Sequence, residues 1–183
     1  MDRPDPVRKT VAIVFCDVFA FSRLIAEAGD LVAANVLRAF YDHAGQLAKE
    51  HRCLTIKFIG DGFLASFENL GNVFPFITSV EGLLTHDKLL SQQHLAFKFS
   101  LHYSDVLYME TSYGTDVLGE SVNIAAHLNE LARPHQLVIS NAALTRLPPD
   151  LQARAGSSEI HSLKHGGAVE FHRMDLSASQ GRE

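Results

Sequence analysis

Between two long helix-patterned stretches the chain carries two short apolar runs joined by Gly60-Asp61-Gly62. Residues 54–59 (Leu-Thr-Ile-Lys-Phe-Ile) and 63–67 (Phe-Leu-Ala-Ser-Phe) read as strands bounded by a turn. So tight a turn has no room for a crossover, so the two strands run antiparallel. In residues 30–50, Leu31, Ala34, Leu37, Tyr41, Ala44 and Leu47 recur every three or four positions, and Asp30 stands where an N-cap belongs. Residues 72–90 form a second helical stretch, with Pro75 tolerated in its first turn. Residues 10–16 are β-branched and apolar, a buried strand. Leu95, Phe97, Phe99, Leu101 and Tyr103 alternate with Ala96, Lys98, Ser100 and His102, which predicts a half-buried strand with one polar face. Residues 105–110 read as a further strand, 121–132 as a helix, 136–140 as a strand, and 169–174 as the strand that closes the sheet. The β-α-β-β-α-β opening is the ferredoxin-like pattern: an α+β sandwich on a mostly antiparallel sheet. The expected organisation is a flexible leader over 1–9, one domain over 10–175 and a flexible tail over 176–183.

A chain of 183 residues hides roughly 70% of its unfolded surface and needs no metal or disulfide to fold. The net charge of −5 offers little for the basic face that nucleic acids require. No apolar run approaches membrane-spanning length, and Met-Asp-Arg-Pro-Asp-Pro is no signal peptide. Cys16 and Cys53 lie in apolar strand-like runs, which predicts buried thiols and fits a cytoplasmic location. The ten histidines are scattered, without His-Glu-x-x-His, so a zinc site is not expected. Gly60-x-Gly62-x-x-Ala65 precedes a strand, whereas a dinucleotide fingerprint must open a helix.

Asp17 ends the first strand and Asp61 occupies the hairpin turn. If those strands are neighbours, two carboxylates meet at one sheet edge and repel unless a cation sits between them. Hard oxygen donors favour Mg²⁺ or Mn²⁺, and paired ions about 3.5–4 Å apart serve phosphoryl transfer. The plainer alternative is a helix-capping Asp and a turn Asp. Lys57 lies four residues before Asp61, Asp116 just before Gly119, and Asn123 and His127 share one helix face.

Three blocks resemble the class III adenylate/guanylate cyclase catalytic domain. Phe15-Cys-Asp17-Val-Phe-Ala-Phe21-Ser22 is similar to the family's Phe-x-Asp-Ile-x-Gly-Phe-Ser/Thr. Lys57-Phe-Ile-Gly60-Asp61-Gly-Phe-Leu-Ala65 is similar to its Lys-x-x-Gly-Asp-x-x-x-Ala. Asp116-Val-Leu-Gly119-Glu-Ser-Val122-Asn123-Ile-Ala125-Ala126 is similar to its Asp-x-x-Gly-x-x-Val-Asn-x-Ala. Order and spacing agree from about Thr10 to Met174.

The resemblance implies a homodimer with two composite sites. Asp17, Asp61 and the Val18 carbonyl would bind two Mg²⁺ or Mn²⁺ ions. Phe21, Ser22, Lys98 and Lys164 would lie along the triphosphate of a nucleoside triphosphate. Lys57 and Asp116 of the partner would read the base, and Asn123 would position the ribose. The 3′-hydroxyl would attack the α-phosphorus and expel pyrophosphate. Lys57 only donates and Asp116 only accepts, which fits a ring nitrogen beside an exocyclic amine. Adenine offers that edge and guanine does not, so ATP is favoured. Cytosine offers it too, and a pyrimidine (CTP or UTP) cyclase of a bacterial antiphage system is the alternative. The family's transition-state Arg is His127 here, an expected glycine is Ala20, another is Ser104, and the segment 110–116 is short. Losing such an Arg clamp costs on the order of a hundredfold in rate, so a pseudo-cyclase that only binds nucleotide or a partner is a further alternative. With no sensor domain in the sequence, activation is expected from a separate regulatory protein, from a small ligand such as bicarbonate or metal, or from expression alone.

Overall fold

The computed structural model describes residues 4–163 and 166–177. Strand β1 (Val7–Phe19) leads into α1 (Phe21–Ala28) and α2 (Asp30–Glu50). The hairpin β2 (Thr55–Ile59) and β3 (Gly62–Phe67) follows, then α3 (Val73–His86) and the long β4 (Ala96–Thr111). The chain continues through β5 (Gly114–Leu118), α4 (Glu120–Leu131), β6 (Gln136–Ser140), α5 (Asn141–Leu144), α6 (Pro149–Gln152), β7 (Glu159–Ser162) and β8 (Ala168–Asp175). The sheet order is β2-β3-β1-β4-β6-β8-β7, with β5 paired to β4. Every pairing is antiparallel except β4 with β6. The expected α+β fold with a mostly antiparallel sheet, opened by β-α-β-β-α-β, is the fold observed.

Strand alternation divides the core. Ala12, Val14, Cys16 and Val18 of β1 join Phe63, Ala65 and Phe67 of β3 and Phe97, Phe99 and Leu101 of β4 under α2 and α3. There Phe40 of α2 stacks on Phe97, ring centroids 4.9 Å apart. On the other face Val11, Ile13, Leu64, Val106, Tyr108 and Val117 pack against Ala125 of α4. Both cysteines are free thiols, Cys16 buried and Cys53 half-buried. Among the described residues no helix is long and apolar enough to cross a membrane.

Several elements differ from the sequence expectation. The stripe of α2 that meets the sheet is Ala33, Val36, Phe40, Ala44 and Ala48, while Leu31 is 78% exposed. Both stripes have helical spacing; the small alanines let the helix lie close to the sheet, leaving Leu37, Tyr41 and Leu47 at its margins. Residues 96–111 are one strand, not two, and the second face of β4 is not polar-exposed. Ser100 is fully buried because its hydroxyl donates to the Ala125 carbonyl of α4 at 2.6 Å. The second predicted helix is shorter than 72–90: it ends at His86, and residues 90–92 form a separate 3₁₀ turn. Helix α1 and strands β5 and β7 had no strong pattern in the sequence. Strand β1 begins inside the expected leader, at Val7, where it pairs with Tyr108.

His102 of β4 lies buried on the α4 side, its Nδ1 2.9 Å from the Ser140 hydroxyl. Burial pushes the imidazole down from 6.5 to about 4. The folded form therefore resists a proton that the unfolded chain accepts. Stability is fully present above pH 6.5 and falls as the pH drops toward 4, by about 3 kcal/mol. Urea unfolding midpoints across this window should decline, and His102→Gln should flatten that part of the slope. A variant with the wild-type slope would show that His102 does not carry it.

Candidate active site

Asp17 follows Val11, Ile13 and Phe15 in the alternation of β1, so it stands on the α4 side of the sheet beyond the helix's cover. It pairs in register with Gly62 of β3 on one side and Lys98 of β4 on the other. Gly62 is held to glycine by this packing: a Cβ there would come 2.2 Å from the Cys16 carbonyl oxygen. Gly60, at φ 58°, takes the left-handed conformation that closes the turn. The Val18 amide donates to the Asp61 carbonyl at 3.2 Å. In an extended strand the amide and carbonyl of one residue point the same way, so the Val18 carbonyl also faces this turn. The Tyr41 hydroxyl of α2 donates to the Gly60 carbonyl. Its ring stacks on Phe58 with centroids 4.1 Å apart, tying the turn to the helix layer.

The predicted convergence of Asp17 and Asp61 is present. Burial, and then the Asp17 carboxylate, push the Asp61 carboxyl above its ordinary value, while Lys98 pulls it down. Lys98 Nζ lies 2.8 Å from Asp17 Oδ2.

A second pair forms away from the first. Lys57 of β2 places Nζ 3.0 and 2.9 Å from the two carboxylate oxygens of Asp116. Lys57, and then the Val117 amide at 2.8 Å, hold the Asp116 carboxyl below its usual range. Lys57 lies on the edge strand β2 and Asp116 on β5, which pairs with β4 off the main strand path, and the two side chains meet across the sheet. The Tyr108 hydroxyl reaches Ser66 Oγ of β3 at 2.7 Å, and Val117 packs with Val11, Ile13 and Leu64. Asp116 is thereby carried across to Lys57.

Phe21 and Ser22 open α1, behind Ala20 at φ 69°. No side chain caps this helix and its first turn holds no acid, so its leading amides remain free for an anion. Asn123 is exposed and His127 half-buried, one turn apart on α4. His127 Nδ1 lies 3.4 Å from Glu130, and among the described residues no hydrogen bond joins Asn123 or His127 to the two charged pairs. Lys164 lies outside the described residues. The chain thus brings Asp17, Asp61 and Lys98 together, and separately Lys57 and Asp116. Sequence reasoning missed the turn anchor Tyr41, which it read only as part of a helix stripe, and the ion pair of Lys98 with Asp17, which depends on register.

The family model described as the adenylate and guanylate cyclase catalytic domain matches residues 5–174. The chain belongs to this family. Among solved structures the domain is similar to the guanylyl cyclase Cya2, with 16% identity, a TM-score of 0.79, and coverage of 93% of this chain and 98% of that one. It is similar to the adenylyl cyclase CyaB from P. aeruginosa, with 14% identity, a TM-score of 0.75, and coverage of 93% and 96%. It is also similar to adenylate cyclases from Trypanosoma brucei, with 15% identity, a TM-score of 0.77, and coverage of 95% and 91%. No curated protein matches it in sequence. This cyclase domain thus shares its fold with enzymes of both base classes.

Cyclases of this family use divalent metal ions. The donor set here fits them: two carboxylates close enough to perturb each other, and the Val18 carbonyl on the side of β1 that faces the Asp61 turn. Among the described residues no three His, Cys, Asp or Glu side chains gather. Water and phosphate oxygens would complete the shell, as Mg²⁺ prefers.

Proposed function

We propose that this domain cyclises ATP to 3′,5′-cyclic AMP and pyrophosphate at composite sites between two copies of the chain. The observation that carries the choice of base is the contact of Lys57 with Asp116. A donor-only and an acceptor-only side chain held side by side match a ring-nitrogen acceptor beside an exocyclic amine, the N1/N6 edge of adenine. Burying that edge against the wrong base would leave a charged group unpaired, which is how such a pocket discriminates.

Asp17, Asp61 and the Val18 carbonyl would hold the divalent ions, which neutralise phosphate charge and favour the ionised 3′-hydroxyl. The free amides at the start of α1, with Ser22 beside Phe21, suit the triphosphate. Lys98 adds a point charge for a phosphoryl oxygen. Asn123 would orient the ribose so that the 3′-oxygen lies in line with the α-phosphorus. His127 stands where a bidentate Arg clamp belongs and is shorter, so slow turnover is expected.

Two features support a shared site. Phe19 and Ile59, 49% and 51% exposed, lie on the same sheet face as Asp17, an apolar fringe that a second copy would cover. The family also forms dimers. The test is incubation of purified protein with each of the four ribonucleoside triphosphates and Mn²⁺, with products resolved by mass spectrometry. Cyclic AMP should dominate. Cyclic CMP as the main product would move the reading to the pyrimidine, because cytosine shows the same edge. No cyclic product from any substrate would overturn it.

A further inference from the structure

We infer that Lys98 is a resident cation at Asp17 that makes metal binding conditional on nucleotide. The inference rests on the carboxylate site proposed above and asks what else that site must do. Lys98 and Asp17 are register partners on adjacent strands, so their side chains leave the sheet on the same face. The ammonium lies 2.8 Å from Asp17 Oδ2, and the Lys98 side chain is only 17% exposed. The ammonium is largely enclosed and the carboxylate about one-third exposed, so a partly buried ion pair occupies a carboxylate that the metal also needs.

A dication arriving at Asp17 meets the ammonium as a like charge at close range, and the low exposure of Lys98 limits how far water screens the repulsion. Without nucleotide, the second carboxylate that Lys98 acts on, Asp61, is wanted by the same ion. The metal therefore binds weakly to the empty domain. A triphosphate changes the balance. It offers several anionic oxygens, and a lysine on a flexible four-carbon stem moves to them while its strand stays fixed. Asp17 is then released to the metal. Nucleotide thus strengthens metal binding twice, by supplying ligands and by removing Lys98 from Asp17. By linkage, the metal strengthens nucleotide binding by the same factor.

Electron paramagnetic resonance titration of free Mn²⁺ against the full chain measures this directly. It is run with and without 3′-deoxy-ATP, which lacks the attacking hydroxyl. Lys98→Met should bind Mn²⁺ alone about tenfold tighter than wild type. The gain that 3′-deoxy-ATP produces should shrink by a similar factor. Lys98→Arg keeps the charge and should retain weak binding of Mn²⁺ alone. Lys98→Gln, a second neutral variant, should follow Met, and a thermal melt verifies that each variant is folded. Mn²⁺ affinity in the absence of nucleotide that is equal or weaker in both neutral variants would overturn the inference while leaving the site intact. Asp17→Asn serves as the control: if it binds Mn²⁺ as wild type does, the carboxylate site itself fails, and the inference falls with it.

Discussion

Asp17→Asn should lower Mn²⁺-dependent cyclisation by about a thousandfold or more, with little loss of folded stability. The substitution keeps the size and most of the hydrogen-bonding shape of the side chain and removes only its charge. A divalent ion supplies several kcal/mol of transition-state stabilisation, and a neutral amide oxygen is a poor substitute ligand. The stability cost is small because two effects oppose each other. The Lys98 ion pair is lost, but the repulsion that helps raise the Asp61 carboxyl is relieved. Asp17 is also about one-third exposed, so water replaces part of what is lost. Two measurements separate catalysis from folding. Turnover should collapse, while the metal-free melting temperature stays within a few degrees of wild type. Saturating Mn²⁺, which should raise the wild-type melting temperature by mass action, should no longer do so. Activity within tenfold of wild type would remove Asp17 from the metal site.

Two inactive variants, mixed, should recover activity. Lys57→Met loses the base-reading donor and Asp17→Asn loses the metal carboxylate, so each homodimer is dead at both sites. In a mixed dimer one site combines Asp17 of the first chain with Lys57 of the second, and the other site collects both defects. Random exchange makes half the dimers mixed, each with one good site, so about one quarter of wild-type activity should return. If Lys57 and Asp17 instead served one substrate within a single chain, mixing would restore nothing. Restored turnover with a first-order approach to its plateau after mixing would report subunit exchange. Persistent silence, with mixed dimers verified by tag pull-down, would sink the composite site.

The sheet's central pattern was legible because it rests on local chemistry. Gly60-Asp61-Gly62 between two short apolar runs permits little besides a hairpin, and the convergence of Asp17 with Asp61 follows once β3 lies beside β1. What could not be read is what long-range packing decides. Two offset stripes on residues 30–50 satisfy the same helical period, and only the sheet chooses Ala33, Val36 and Phe40 over Leu31 and Ala34. The polar alternation at Ser100 and His102 looked like a solvent face because α4, which covers it, arrives some twenty residues later. Strand β5 is five residues long, and the contact of its Asp116 with Lys57 joins positions 59 residues apart, which leaves no periodic trace. The candidate roles of Lys57, Asp116, Asn123 and His127 rested on family likeness. Their separate residue types would each have passed as ordinary surface chemistry.

The alternation of β1 also sets the terms on which this domain can change. Ala12, Val14, Cys16 and Val18 send their side chains under α2 and α3, whereas Phe15, Asp17 and Phe19 alternate with them on the opposite side. Neighbouring codons in one strand therefore answer to different selective pressures. A directed-evolution campaign for heat tolerance can repack the first set while barely touching substrate preference. A campaign for a new substrate has to work on the opposite face with Asp17 held fixed, and it can do so with most of the thermal reserve still in hand.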